Sequence, residues 1–284
     1  MSEQSVIHDI GYQRYTGPRL GRGYAARSLF EHGLRVAFGL GRSAKAKIFP
    51  WIVIGLVMAL AVVVVAVKAQ SGEMILTYQE LPGAASVVVM VFLAVVAPEL
   101  VSRDLRNQTL PLYFSRPIRR SDYALAKLAA MATAVWLLMA APQAVMFLGS
   151  AFTADGASGV GAEARGMLGG WVVATCYTLV FSSLALLIAS IASRRAFAAG
   201  AIVVVFMVTT PVVALMDELG KGGTASQIAA LFSPLTLPEG VREWLYGTSS
   251  TDVGPFGPVY GLVMLLLVAG CASLLVLRYR KVSL

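Results

Sequence analysis

Residues 99–127 read ELVSRDLRNQTLPLYFSRPIRRSDYALAK, a basic, proline-punctuated stretch set between two long apolar runs. Those flanks decide the fold class. One apolar run ends at Pro98 and the next begins at Leu128, so the stretch connects two segments of bilayer-crossing character. Six such runs occur, at 49–67, 84–98, 128–149, 169–192, 197–216 and 259–277. About 20 residues at ~1.5 Å each cover a hydrocarbon core of ~30 Å. The second run is short, and is expected to borrow Pro82 and the residues before it or to lie tilted beneath an ordered outer segment. Only Ser193, Arg194, Arg195 and Ala196 separate the fourth and fifth, which makes them antiparallel neighbours. The expectation is an all-α polytopic membrane protein with six transmembrane helices.

Composition agrees. The 284 residues are 57% hydrophobic and 13% charged, against about 25% charged in soluble domains. Cys176 and Cys271 both lie in apolar runs and read as small buried hydrophobes, without zinc or disulfide spacing. The net charge of +8 is better explained by its distribution than by a nucleic-acid partner. Nineteen Lys and Arg fall on the side that holds both ends of the chain and the 99–127 stretch, and four (Lys68, Arg165, Lys221, Arg242) on the other. The positive-inside rule then puts both termini in the cytoplasm, and a bacterial plasma membrane is the expected location. The first run starts near residue 49 behind a basic tail, so it reads as a membrane helix and not as a cleaved leader. The chain divides into a tail, 1–48, and a six-span domain, 49–284, which carries a cytoplasmic segment at 99–127 and an extracellular insertion at 217–258.

Within the tail, 24–40 has helical periodicity. Phe30, Leu34 and Phe38 recur every four residues, and Arg27, Glu31 and Arg35 form the opposite stripe, with Glu31 placed to pair with Arg35. Such a helix suits the headgroup plane, or alternatively packs on its own protein. In the 99–127 segment, helix is expected to continue from Glu99 to Gln108 and to be interrupted at Pro111. Pro117 makes a second break. Ser121 is expected to cap the third span, with Asp122 in its first turn. Leu110, Leu112, Tyr113 and Phe114 form an apolar knob framed by Arg103, Arg106, Arg116, Arg119 and Arg120. This combination suits a protein contact, while arginines alone would suit headgroups. In the insertion, 228–232 and 241–246 read as short helical pieces divided by Pro234 and Pro238.

The chemistry that is missing narrows the function. Gly220-Lys221 resembles the end of a phosphate loop, but Leu215 replaces its first glycine and Gly222 its Ser or Thr. His8 and His32 both lie in the tail. No ionisable residue falls deep in any span as drawn, which argues against proton- or ion-coupled carriers. The polar groups that remain as candidates for a translocation path are Gln143, Thr175, Thr178, Ser182 and Thr209. No metal or cofactor is expected on this chain, and no enzymatic activity.

The run from Ser102 to Lys127, with its acidic-basic pair Arg103-Asp104, Thr109-Leu110, Arg116-Pro117, Arg119 and the later Lys127, resembles the stretch between spans two and three of the ABC-2 type transporter permeases. The elbow helix, six spans and long fifth-to-sixth insertion match that family in layout. The resemblance implies that Arg103, Asp104, Arg106, Thr109, Leu110, Tyr113, Phe114, Arg116, Pro117, Arg119 and Arg120 form a coupling helix docking a separate cytoplasmic ATPase. It also implies two permease subunits with two ATPases, and ATP and Mg bound by the partner. Export of an amphipathic or lipid-like substrate is the reading this supports. A non-transporting membrane scaffold that anchors a cytoplasmic partner stands beside it, with a secondary carrier third.

Overall fold

The computed structural model describes residues 16–17, 20–41, 43–107, 109–115, 117–154, 156–192, 194–220, 223–247 and 251–281. Its α-helices are α1 (Arg22–Ala37), α2 (Ala44–Ser71), α3 (Leu81–Ala84), α4 (Ser86–Leu100), α5 (Ser102–Arg106), α6 (Leu110–Phe114), α7 (Arg120–Ala151), α8 (Gly156–Ile191), α9 (Arg195–Gly220), α10 (Thr224–Ala229), α11 (Leu237–Tyr246) and α12 (Gly257–Lys281). Six helical runs are long and apolar enough to cross a membrane: α2, α4 with its extension to Asp104, α7, α8, α9 and α12. The six expected spans are therefore present. Most run well past the apolar windows, because α7 and α8, at 32 and 36 residues, are ~50 Å long. The short second span does gain residues behind it, since Pro82 opens the one-turn helix α3 directly before α4.

Helices α4, α7 and α8 form the centre. Two-thirds of the apolar windows of α4 and α8 are buried by the protein itself, against 11% for α9, 22% for α12 and 28% for α2. Lipid is as apolar as these side chains, so close fit and not water exclusion must hold the helices together. Small residues supply it. Val53, Val57, Ala61 and Val64 give α2 one buried stripe at helical spacing. At Gly149 of α7, a Cβ would lie 2.3 Å from Val65. Gly166 and Gly170 of α8 make room for Tyr78, whose backbone carbonyl oxygen would stand 2.6 Å from a Cβ at Gly170.

Helix α1 packs on the bundle. Its buried stripe is Leu29, Gly33 and Ala37, and a Cβ on Gly33 would meet the Ala130 Cβ at 2.9 Å. Phe30, Leu34 and Phe38 pack half-buried against the core, while Arg27 and Arg35 stay outside. Helix α1 therefore packs on its own protein, in the place expected of the elbow helix. Glu31 pairs with Arg27, 2.9 Å away and one turn earlier, where Arg35 was expected.

Three expectations for the connecting segment are corrected. Helix α4 ends at Leu100, because Val101 (φ −124°, ψ −56°) leaves helical geometry and the chain restarts as α5. Pro111 does not interrupt a helix but sits in the first turn of α6, where its missing N–H costs nothing. Likewise α7 starts at Arg120, ahead of Ser121; the Asp122 carboxylate accepts a bond from the Arg119 backbone N–H at 3.1 Å.

The sequence leaves open how deep the short pieces of the 217–258 region lie. The two short helical pieces are there, as α10 with a 3₁₀ turn at Ala230–Phe232, and as α11. Yet they fold back into the bundle. Thr209 Oγ1 donates to Ser233 Oγ at 3.1 Å, and Thr209 lies ~21 Å along α9 from its start at Arg195. The Tyr260 hydroxyl donates to the Gln227 carbonyl at 2.9 Å. A Cβ on Gly240 would fall 2.2 Å from the buried Tyr260 ring. Residues 223–247 form a hairpin packed into the bundle, with Pro234 and its neighbours at the turn.

Candidate functional site: the basic end of the bundle

The segment from Ser102 to Arg120 crosses the end of the bundle where α1 begins and α12 ends; α8 and α12 hold it directly, and the flanking residues Glu99 of α4 and Asp122 of α7 are tied to α9 and α1. The Ser102 hydroxyl donates to the Ala189 carbonyl at the end of α8 at 2.7 Å. Glu99, one turn earlier, forms an ion pair with Arg195 at the start of α9. Arg22 of α1 makes a two-pronged contact to Asp122, on the first turn of α7. Arg120 donates to the Arg280 carbonyl at the end of α12 at 2.8 Å. The segment and its two flanks are thus tied to four helices.

At its centre is a buried polar knot. Asp104 lies 2.8 Å from the Lys127 ammonium and accepts a bond from the Tyr123 hydroxyl at 2.6 Å. The Thr109 N–H and hydroxyl both bond the Asp104 carbonyl, each at 3.2 Å, closing the turn that launches α6. Tyr123 stacks on Tyr279 of α12 at 5.0 Å. Burying an ammonium is tolerated only with a partner at this range, so the pair fixes where the segment sits.

The docking residues expected from sequence divide into three groups. Leu110 is buried in the protein's own core. Tyr113 and Phe114 are half-buried against the Tyr123 ring, with centroids at 5.6 and 6.0 Å, and the Arg120 guanidinium lies over Phe114 at 5.5 Å. The expectation that Leu110, Tyr113 and Phe114 form an outward knob is thus corrected: an isolated five-residue helix needs an apolar floor, and these residues supply it. Leu112 is the outward residue, at 70% exposure. Arg103, Arg106, Pro117 and Arg119 are also exposed. Arg116 lies outside the described residues.

A cavity of about 480 Å³ opens between α1 and this segment, lined by Tyr24, Leu29, His32, Tyr113, Pro117 and Ile118 among others. At its rim, partial burial and the neighbouring Lys127 lower the His32 pKa from its ordinary value, with smaller contributions from Arg103 and Arg35 and an opposing one from Asp104.

The candidate path residues do not lie on one surface. Gln143 is fully buried, its amide donating to the Gly170 and Met139 carbonyls at 3.3 Å. Thr178 and Ser182 are buried on α8 with no hydrogen-bond partner for their hydroxyls. Thr175 faces outward, bonded to the Trp136 indole at 3.1 Å and to the Trp171 carbonyl at 2.8 Å. Thr209 meets the hairpin at Ser233.

The hairpin carries what the sequence reading missed. A Cβ on Gly83 would lie 3.1 Å from the Tyr177 hydroxyl, 3.2 Å from Glu239 Oε1 and 3.5 Å from Arg242 Nη1. Three polar tips from α8 and α11 therefore converge on one glycine of α3. Arg242 is buried and donates to the Gln79 carbonyl at 3.4 Å. The only sequence signal was the amphipathic pattern of 237–246. The two ionisable residues enter the bundle from the insertion, not from a span. No family model matches the chain, and no curated protein matches it.

Proposed function

We propose that this chain is the membrane subunit of an ATP-driven exporter of the ABC-2 type, with the Ser102–Arg120 segment as the contact for a separate cytoplasmic ATPase. The observation that carries the reading is the attachment of that segment to α8 and α12 through Ser102 and Arg120, and of its immediate flanks to α9 and α1 through Glu99 and Asp122. A push delivered at Leu112 would be passed to these helices. This is the mechanical requirement for coupling hydrolysis in one subunit to rearrangement in another. The resemblance of 102–127 to the permease pattern supports the same assignment. The thinly covered faces of α2 and α9 suit a second permease subunit, and a path of apolar and hydroxyl groups suits amphipathic or lipid-like cargo. Purifying the chain with its associated ATPase and adding candidate amphiphiles tests it: cargo should stimulate hydrolysis, and an associated ATPase indifferent to every amphiphile would support a scaffold instead.

One observation favours a second reading, an ion-coupled carrier. Glu239 and Arg242 bring ionisable groups into the bundle beside Tyr177, as a coupling site requires. Collapsing the proton gradient at constant ATP separates the two. Transport by the exporter continues, and transport by the carrier stops.

A further inference from the structure

We propose that the groove between the basic ends of α8 and α12 is a seat for one anionic phospholipid of the leaflet on that side. Leu187, Ile191, Leu274 and Leu277 form its apolar wall, and Arg278 and Lys281 stand at its mouth, around a cavity of about 450 Å³. Ile191, Leu274 and Leu277 are exposed, so the wall is open to acyl chains from the side.

Charge selects the occupant. Among the described residues, no acidic side chain lines this groove. Helix α12 contains no Asp or Glu, and α8 contains none after Glu163. The contrast with other arginines here is direct, since Arg195 pairs with Glu99, Arg22 with Asp122 and Arg27 with Glu31. Arg278 has its Nε bonded to the Ser190 carbonyl, at 2.7 Å. That bond fixes the guanidinium at the end of α8, an arrangement suited to a phosphate oxygen. Lys281 adds a second positive charge one turn away from Arg278. Two cations above an apolar wall, at the ends of two membrane helices, match a phosphate with a second anionic or uncharged headgroup and one acyl chain below it. A zwitterionic choline headgroup offers the phosphate but brings a cation that these residues repel. The groove adjoins the Ser102–Arg120 segment, since Arg120 donates to the Arg280 carbonyl, but the proposal does not depend on the exporter reading.

The test uses the full chain, stripped of lipid in a neutral detergent, with phosphatidylglycerol as the probe. Native mass spectrometry should show one retained phosphatidylglycerol under conditions that remove phosphatidylcholine, and the lipid should raise the thermal midpoint. Lys281→Gln should weaken binding about fivefold, as one lysine near a membrane surface contributes. Leu277→Trp, which fills the groove without touching charge, should weaken it as well. Lys45→Gln, on another face of the same end, is the control and should change nothing. Equal retention of phosphatidylcholine, or equal losses from Lys45→Gln and Lys281→Gln, would show a diffuse basic surface and overturn the proposal. So would an equal midpoint shift from glycerol 3-phosphate, which has no acyl chain.

Discussion

The Lys127 ammonium, on the second turn of α7, lies 2.8 Å from the Asp104 carboxylate of the connecting segment, with side-chain exposures of only 4% and 15%. Breaking such a pair from one side leaves an uncompensated buried charge, at a cost of about 3–5 kcal/mol. Asp104→Asn and Lys127→Met should each lower the thermal midpoint of the purified protein substantially. The double replacement Asp104→Leu with Lys127→Met should recover much of the loss, because a matched apolar pair pays no desolvation. A double variant as unstable as the sum of the singles would mean that the two side chains act independently.

Tyr113 and Phe114 rest on Tyr123, so alanine at either position removes packing. Each should cost about 2–4 kcal/mol of stability, seen as a lower midpoint in the isolated subunit. An unchanged midpoint would mean that these rings face a partner after all.

Gly240 touches the Tyr260 ring so closely that a Cβ would stand 2.2 Å from it. Gly240→Ala should unseat α11 from α12, at a cost of about 1–3 kcal/mol, and expose the 223–247 hairpin to limited proteolysis. Cleavage no faster than in the parent protein would contradict the seating described.

The His32 shift has a stability consequence with a definite sign. Burial and Lys127 lower its pKa, so the unfolded chain holds this proton more tightly than the folded one. Stability from this group is complete above the ordinary histidine value of about 6.5 and is lost as pH falls from there through the lowered folded value. The midpoint should therefore drop modestly on acidification across that window, and His32→Gln should flatten the drop. An unaltered pH profile in His32→Gln would assign the effect elsewhere.

The six spans were legible because each apolar run approaches the length of a bilayer, a constraint set by solvent and not by neighbours. The 99–127 connection was legible as a folded segment from its prolines and arginines. Its facing was not. Whether Leu112 or Leu110 points outward depends on where α6 lands on Tyr123, a contact with no local signature. The same holds for Glu239 and Arg242. They are ordinary charged residues of an insertion until Gly240 and Tyr260 draw the hairpin into the bundle. Pro111 misled for a different reason, since proline both ends helices and opens them, and only the Thr109 turn to Asp104 decides which.

The most direct test of the central claim uses Leu112, exposed and free of any role in the knot beneath it. The tagged chain, extracted from its native membrane, is assayed for a phosphate-loop ATPase at a one-to-one ratio, alongside Leu112→Asp. A buried apolar anchor at an interface commonly contributes more than ~2 kcal/mol. The account predicts stoichiometric ATPase with the parent chain, and loss of at least tenfold (about 1.4 kcal/mol) with Leu112→Asp at an unchanged thermal midpoint. An ATPase that stays bound to Leu112→Asp, or none bound to the parent chain, would contradict it.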